Sequence, residues 1–305
     1  MNKAIFIVGP TAIGKTEVAF FLALKIGAEI VSADSMLVYK EPNIITSKPP
    51  SWMRKIIKHY FIDIISVTEN YNVFKYYIEA QELIKNLIFK KPIIVCGGSC
   101  LYIKALLDGI FKEPSCNISI RKQLEEEAKE YGKEYLKAKL QKVDPATADK
   151  VFDLRRIIRA LEVYYLTGIP LSEKKKEAKG LWGELPIKIY GLNTERKLLY
   201  DKINKRVERM FEEGLVDEVK NLLKLNLSLT AKKLIGINEV KGFLEEKYDL
   251  EYAKELIKKN TRHFAKRQLT WFKKEKRINW IDVGNLKSSD IVDLILKNLN
   301  KNVSN

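Results

Sequence analysis

The first third of the chain alternates short apolar runs with helix-periodic stretches. Residues 4–8, Ala-Ile-Phe-Ile-Val, form a continuous apolar run of strand length, the pattern of a strand covered on both faces in a parallel sheet. Residues 16–26 read as its crossover helix and 29–32 as a second strand, together a βαβ unit. Residues 61–65 read as a further strand, 72–89 as a helix, and 92–96 as a strand closed by Gly97-Gly98-Ser99. A helix opens at 101–107. From about residue 113 the strand signals stop. Residues 121–131, 134–143 and 155–166 are amphipathic, charged and helical, punctuated by Asp144-Pro145 and Gly168-Ile169-Pro170. The Lys/Glu run at 172–179 reads as solvated. Strand character returns at 187–192, and helices follow at 195–211 and 215–225, divided at Gly214. The last residues, 300–305, read as a frayed end.

The turn between the first strand and first helix is Gly9-Pro10-Thr11-Ala12-Ile13-Gly14-Lys15-Thr16. This is G-x-x-x-x-G-K-[ST] in strand–loop–helix context. Glycines let successive backbone N–H groups face one concavity, which suits phosphate oxygens. The helix that starts there adds the positive end of its dipole. Lys15 supplies a point charge for the terminal phosphate, and the Thr16 hydroxyl can ligate Mg²⁺. The fold class expected is therefore α/β: a P-loop NTPase-like parallel sheet flanked by helices, with an all-helical insertion. Residues 1–112 and 187–305 form the core in this reading, and 113–186 the insertion.

Charge narrows the partner. The 305 residues carry a formal net charge of +16, which favours a polyanion, nucleic acid before membrane surface. Residues 254–277 concentrate this excess, ten Lys/Arg against two Glu, interleaved with His263, Phe264, Trp271 and Phe272; that mixture suits phosphate tracking. Trp271 and Phe272 read as core-facing. Three cysteines without a C-x-x-C pair, and only His59 and His263, argue against a zinc site and for reduced thiols. No apolar run approaches the ~20 residues of a membrane span, so a soluble, cytoplasmic protein is expected.

Asp34 follows the second strand, and ligands in open α/β sheets bind beyond the carboxyl ends of strands. A motor-type ATPase wants an acidic residue at the end of the neighbouring strand. Here that strand ends in Gly97-Gly98-Ser99, and Asp63 lies inside an apolar run. Asp34 instead suits a base facing an acceptor held above the phosphates. A turn-forming Asp beside Ser32 and Ser35 is the plain alternative.

With these residues in place, the chain resembles the tRNA dimethylallyltransferase (tRNA isopentenyltransferase) family of bacterial type. The resemblance rests on Gly9–Thr16, Asp34-Ser35-Met36-Leu37-Val38-Tyr39, Thr46-Ser47-Lys48-Pro49, His59 through Asp63-Ile64, and Gly97-Gly98-Ser99-Cys100-Leu101-Tyr102. It continues with Arg156-Ile157-Ile158-Arg159-Ala160-Leu161-Glu162-Val163, Arg206-Val207 to Gly214-Leu215, and Thr261-Arg262 through Ala265-Lys266-Arg267-Gln268 to Trp271-Phe272. Ser99 stands where the family usually has Thr, Glu41 to Ile45 replaces G-x-D-I-G, and Ile237-Asn238 replaces Tyr and a basic residue. Cys100 is unusual in its turn.

The resemblance implies transfer of a dimethylallyl group from dimethylallyl diphosphate to N6 of adenosine-37, beside the tRNA anticodon, with diphosphate leaving. It implies Asp34 as base, with Thr16 and Arg206 stabilising the leaving group, and Mg²⁺ at Thr16. Residues Gly9, Pro10, Thr11, Ala12, Ile13, Gly14, Lys15 and Thr16 would hold the diphosphate. Asp34, Ser35, Met36, Leu37, Ser99, Arg121, Arg155, Arg156, Ile157, Ile158 and Arg159 match positions that contact tRNA. An ordinary basic helix face is the plain reading of the arginines. The partners expected are the tRNA anticodon stem-loop and dimethylallyl diphosphate, with no membrane and a monomeric enzyme. Prenylation of free adenine nucleotides, a P-loop small-molecule kinase using ATP, and a non-catalytic RNA-binding protein are the rival readings.

Overall fold

A computed structural model describes residues 3–111 and 117–301. In chain order it runs β1 Ala4–Val8, α1 Lys15–Ile26, β2 Glu29–Ser32, α2 Ser51–Ile56, β3 His59–Tyr60, α3 Val73–Ile88, β4 Ile93–Gly97 and α4 Cys100–Asp108. The helices α5 Ile118–Tyr131, α6 Lys133–Val143, α7 Pro145–Ala148, α8 Leu154–Thr167 and α9 Leu171–Lys174 follow. Then come β5 Ile187–Asn193, α10 Arg196–Glu212, α11 Leu215–Leu222, α12 Ile237–Leu244, α13 Leu250–Phe272, β6 Ile278–Asp282 and α14 Ser288–Lys301.

Two compact units result. Residues Met1–Leu106 with Leu181–Asn305 form one, and Leu107–Gly180 the other. The first holds six parallel strands in the order β3-β2-β4-β1-β5-β6. Its centre is β1, all five of whose residues are buried, as expected of a strand covered on both faces. Register sets where the turns emerge. Val8 stands level with Gly97 of β4 and Gly191 of β5, and Ser32 level with Cys96. The loops after β1, β2 and β4 therefore leave the sheet side by side at one edge. α1 covers the sheet through Val18, Ala19, Leu22 and Ala23, in one apolar cluster with Ile5, Ile7 and Leu192.

The helical unit has its own core, built from Leu124, Leu136, Leu140, Ile157, Leu161 and Leu171 among others. Asp144 ends α6 and caps α7, accepting from Thr147 N–H at 3.0 Å and from Ser172 N–H at 2.9 Å.

Two expectations are corrected, and one strand was not foreseen. Residues 61–65 are not a strand: Phe61 and Asp63 have φ of 61° and 58°, and Lys48 and Arg54 both pair with the Asp63 carboxylate. The edge strand is His59–Tyr60 instead. The helical unit spans 107–180 where 113–186 was expected. Residues 181–186 stay with the sheet, Leu181 N–H bonding Leu106 O at 2.8 Å and Ala4 N–H bonding Pro186 O at 3.1 Å. The strand β6, beyond the basic segment, had no counterpart in the sequence pattern. The expected boundary at residue 113, the thiol of Cys116 and the frayed end at 302–305 lie outside the described residues. Among the described residues, no helix is long and apolar enough to cross a membrane.

Candidate active site

A cavity of about 290 Å³ sits at the sheet edge where these loops emerge. Thr11, Ala12, Gly14, Lys15 and Thr16 line it, together with Asp34, Cys96 and Arg206. Its apolar lining comes from Ala19, Ile30, Leu37 and Ile62, and Thr46, Ser47, Pro49 and His59 also face it. Sequence reasoning placed the loop, Asp34 and Arg206 together, and the structure gathers them into this one cavity. It assigned no role to Ser32 or His59, which line the same space.

The loop takes its shape from backbone that L side chains rarely adopt. Gly9 has φ of 146° and Gly14 of 101°, and a Cβ on Gly9 would meet Leu192 O at 2.6 Å. Gly14 precedes the first turn of α1, whose unpaired N–H groups and dipole favour an anion. Ile13 contributes its side chain to the core below, so only its backbone is available to a ligand. Lys15 Nζ donates to Pro10 O at 2.6 Å. Burial pushes its ammonium down from the ordinary 10.5 to about 8, partly offset by the Asp34 carboxylate.

Asp34 is both a turn residue and a cavity residue. Its Oδ1 accepts from Met36 N–H at 3.0 Å, and Oδ2 has no hydrogen-bond partner among the described residues. The turn after β4 braces it: Ser99 Oγ accepts from Ser35 N–H at 2.9 Å and lies 3.2 Å from Ser35 Oγ. A Cβ on Gly97 would collide with the Ala33 carbonyl, so only glycine lets β4 approach this closely. The Ser99 hydroxyl is thus engaged inside the protein. Cys100 donates weakly to Gly98 O at 3.7 Å. Burial pushes its thiol up to about 11, and that of Cys96 up to about 12, which leaves both protonated and unreactive near neutrality.

Buried polar atoms without partners line the cavity. Arg206 comes from α10, which turns Leu199, Ile203, Val207 and Met210 into the core. Its Nε is buried and unpaired. Burial disfavours the Arg206 charge and the Asp34 carboxylate favours it. Ser32 Oγ is likewise buried without a partner. Each such orphan costs about 1–3 kcal/mol until a ligand meets it, so the site is built for an anion. His59 offers its Nδ1 to Ile57 O at 2.7 Å, and burial lowers its pKa. The fit to Mg²⁺ is partial but sound: Thr16 Oγ1 and the orphaned Ser32 hydroxyl are hard oxygens beside the phosphate loop. Among the described residues no group of three His, Cys, Asp or Glu gathers to hold a metal. Such an ion would take most of its oxygens from the ligand and water.

Gln268 stands in a motif read from the sequence, but its role was not legible there. It is 4% exposed on α13, and its carboxamide joins Thr11 N–H to Gly98 O. Nothing in local spacing announces a partner 257 residues away. On the same helix Phe272 is fully buried, as expected, while Trp271 is half-buried and lines a surface cavity with Lys266, Arg267 and Lys274.

In the helical unit a separate groove of about 690 Å³ is lined by Arg121, Lys129, Arg155 and Arg159, with Leu154, Ile158, Ala128 and Glu125. Two of the residues expected to contact RNA do not line this groove. Ile157 has no exposed surface and belongs to the unit's core, because α8 buries that face. Arg156 points elsewhere, exposed and 3.3 Å from Asp153. Ile158 is 5% exposed and meets the groove only as part of its floor.

Known proteins share this architecture and sequence. The family model described as IPP transferase matches residues 37–275. A tRNA dimethylallyltransferase of Halothermothrix orenii is 44% identical, over 93% of this chain and 88% of its own. One from Thermotoga maritima is 43% identical, over 97% and 99%. Among solved structures, the full-length tRNA isopentenylpyrophosphate transferase of Bacillus halodurans is similar with a TM-score of 0.70 and 33% identity, over 100% of this chain and 99% of that one. A eukaryotic dimethylallyltransferase acting on tRNA has a TM-score of 0.79 at 29% identity, over 94% and 75%. This chain belongs to the IPP transferase family.

Proposed function

We propose that this chain transfers a dimethylallyl group from dimethylallyl diphosphate to N6 of adenosine-37 in the tRNA anticodon stem-loop, releasing diphosphate. It is an enzyme of tRNA modification, and its relatives do not favour a kinase or a free-nucleotide prenyltransferase. We place it in the cytoplasm, acting as a monomer. The observation that carries the reading is one cavity lined by Lys15, Arg206, with its Nε unpaired, and Asp34, together with apolar side chains.

The apolar lining from Ala19, Ile30, Leu37 and Ile62 suits a five-carbon branched chain, at about 0.8 kcal/mol per buried CH₂. The diphosphate lies in loop 9–16. As the allylic C–O bond breaks, negative charge grows on the diphosphate oxygens. Backbone N–H groups, Lys15, Arg206 and the Thr16 hydroxyl stabilise it in place. The adenine amine forms the new N–C bond, and Asp34 Oδ2 takes the amine proton. Oδ1 stays with Met36 N–H, which aims the carboxylate. Mg²⁺ held at Thr16 would add charge neutralisation to the leaving group. The adenine must leave the base stack to reach the cavity. Ser35, Met36 and Leu37 border the approach to Asp34, and Ser99 holds Ser35 in position. Arg121, Arg155 and Arg159 supply a basic groove for RNA phosphates on the helical unit.

Unmodified tRNA incubated with the enzyme, Mg²⁺ and dimethylallyl diphosphate, then digested to nucleosides, tests this by mass spectrometry. Isopentenyladenosine is the expected product. Its absence, with label from ATP reaching an acceptor instead, would overturn the assignment.

A further inference from the structure

We infer that Gln268 is a positioning residue for the phosphate loop, clamping it to the turn after β4 so that its remaining N–H groups keep their aim. The inference rests on the reading that this loop takes a diphosphate. Gln268 Oε1 accepts from Thr11 N–H at 2.9 Å, and Nε2 donates to Gly98 O at 2.8 Å. Thr11 and Gly98 belong to different turns, at the carboxyl ends of β1 and β4, and α13 brings the amide to both. One side chain must accept at one end and donate at the other, over a fixed reach. A carboxamide does this. A glutamate would set a carboxylate against the Gly98 carbonyl, and a methionine would fill the space with neither bond.

Gly98 records the same constraint from the other side of the contact. Its φ lies outside the left-handed region, so its backbone does not demand glycine. A Cβ there would collide with Gln268 Nε2 and stand 3.3 Å from Gly9 O. What glycine protects at this position is the path of the amide and the closeness of the two turns. With Thr11 N–H committed to Gln268, the loop's pitch is fixed one residue before Ala12, whose φ of 63° starts the turn into α1. The N–H groups nearer the helix, beside Lys15 and Thr16, are those left to a ligand.

The test uses the full chain and calorimetric binding of inorganic pyrophosphate with Mg²⁺, alongside steady-state kinetics. Wild-type binding that disappears in Lys15→Ala supports the diphosphate reading; a wild type that binds no pyrophosphate overturns that reading and this inference with it. Given binding, Gln268→Met is expected to weaken pyrophosphate at least tenfold and to raise KM for dimethylallyl diphosphate more than it lowers kcat, with tRNA affinity unchanged. Gly98→Ala keeps Gln268 but displaces the flexible end of its side chain, so it reports even where Gln268→Met folds poorly. It should weaken pyrophosphate similarly. In Gly98→Ala/Gln268→Ala the methyl has room and the clamp is already gone, so the loss should match that of Gln268→Ala alone and not the product of the Gly98→Ala and Gln268→Ala losses. Wild-type pyrophosphate affinity in folded Gly98→Ala or Gln268→Met, multiplicative losses in the double variant, or an equal loss of tRNA affinity would each overturn the inference.

Discussion

Glu162 has no exposed surface, and its carboxylate takes both Nε and Nη2 of Arg121 at 2.9 Å each. Arg159 Nη1 adds a third bond at 2.6 Å, and Asn117 N–H a fourth at 2.8 Å. Burial alone would push the Glu162 carboxyl up; the bonds from Arg121, Arg159 and Asn117 outweigh it and hold the group below its ordinary 4.5. Two arginines of the helical groove are therefore held by one acid beneath it. Removing one partner of a buried pair leaves the other uncompensated. Glu162→Gln should cost about 1–3 kcal/mol of stability by chemical denaturation, since the two arginines it leaves retain access to water. The sign with pH follows from the depressed pKa: the contribution is present above the unfolded value near 4.5 and is lost as pH falls through the folded one. The wild type should lose this increment below about pH 4.5, and Glu162→Gln should not.

The groove separates two neighbouring arginines. Arg155 lines it and Arg156 does not, since on α8 only positions three and four apart share a face. Arg155→Ala with Lys129→Ala should weaken tRNA binding and flatten its dependence on log salt by roughly 0.7–0.9 for each phosphate no longer neutralised. Arg156→Ala, which removes a solvent-exposed pair with Asp153, should leave both within error. Filter binding across a salt series checks this; an equal effect of Arg156→Ala would move the RNA surface to another face.

Why some of this was readable in the chain and some was not follows from where each partner lies. The strands 4–8 and 29–32 agree with β1 and β2 residue for residue; in β1 this is because a fully buried parallel strand writes its burial as a continuous apolar run. The phosphate loop was legible because its work is done by contiguous backbone. The segment 61–65 misled because it looks apolar, while its conformation is set by Lys48 and Arg54 pulling on Asp63 from elsewhere. The strand β6 left little trace: as an edge strand it buries only Ile278 and Ile281 of five residues. Gln268 and Glu162 stood within recognised motifs, yet their roles depend on partners 257 and 41 residues away, which no spacing rule reaches.

Asp34 offers a substitution that separates shape from chemistry. Asp34→Asn keeps an oxygen for Met36 N–H, so the turn survives, but it removes the carboxylate that would accept the amine proton. Under single-turnover conditions the transfer rate should fall about 10²–10⁴-fold, with tRNA and pyrophosphate affinities nearly unchanged. A variant that transfers at the wild-type rate would remove Asp34 from the role of base.

Lys15 makes ligand binding pH-dependent. Its ammonium is held near 8 in the free protein by burial. A bound diphosphate brings negative charge beside it and raises that pKa. Between the two values, binding takes up a proton, so affinity falls by up to tenfold per pH unit as pH rises above about 8. An alkyl diphosphate has no titration of its own there. Calorimetry with a non-reactive dimethylallyl diphosphate analogue, run in buffers of different ionisation enthalpy, should show proton uptake above pH 8. Lys15→Arg, which keeps a cation that does not titrate in this range, should show neither the uptake nor the slope. The effect on folding runs the other way. The unfolded chain holds its Lys15 proton up to about 10.5 while the native one has released it. Stability should therefore rise with pH through this window, even as ligand affinity declines.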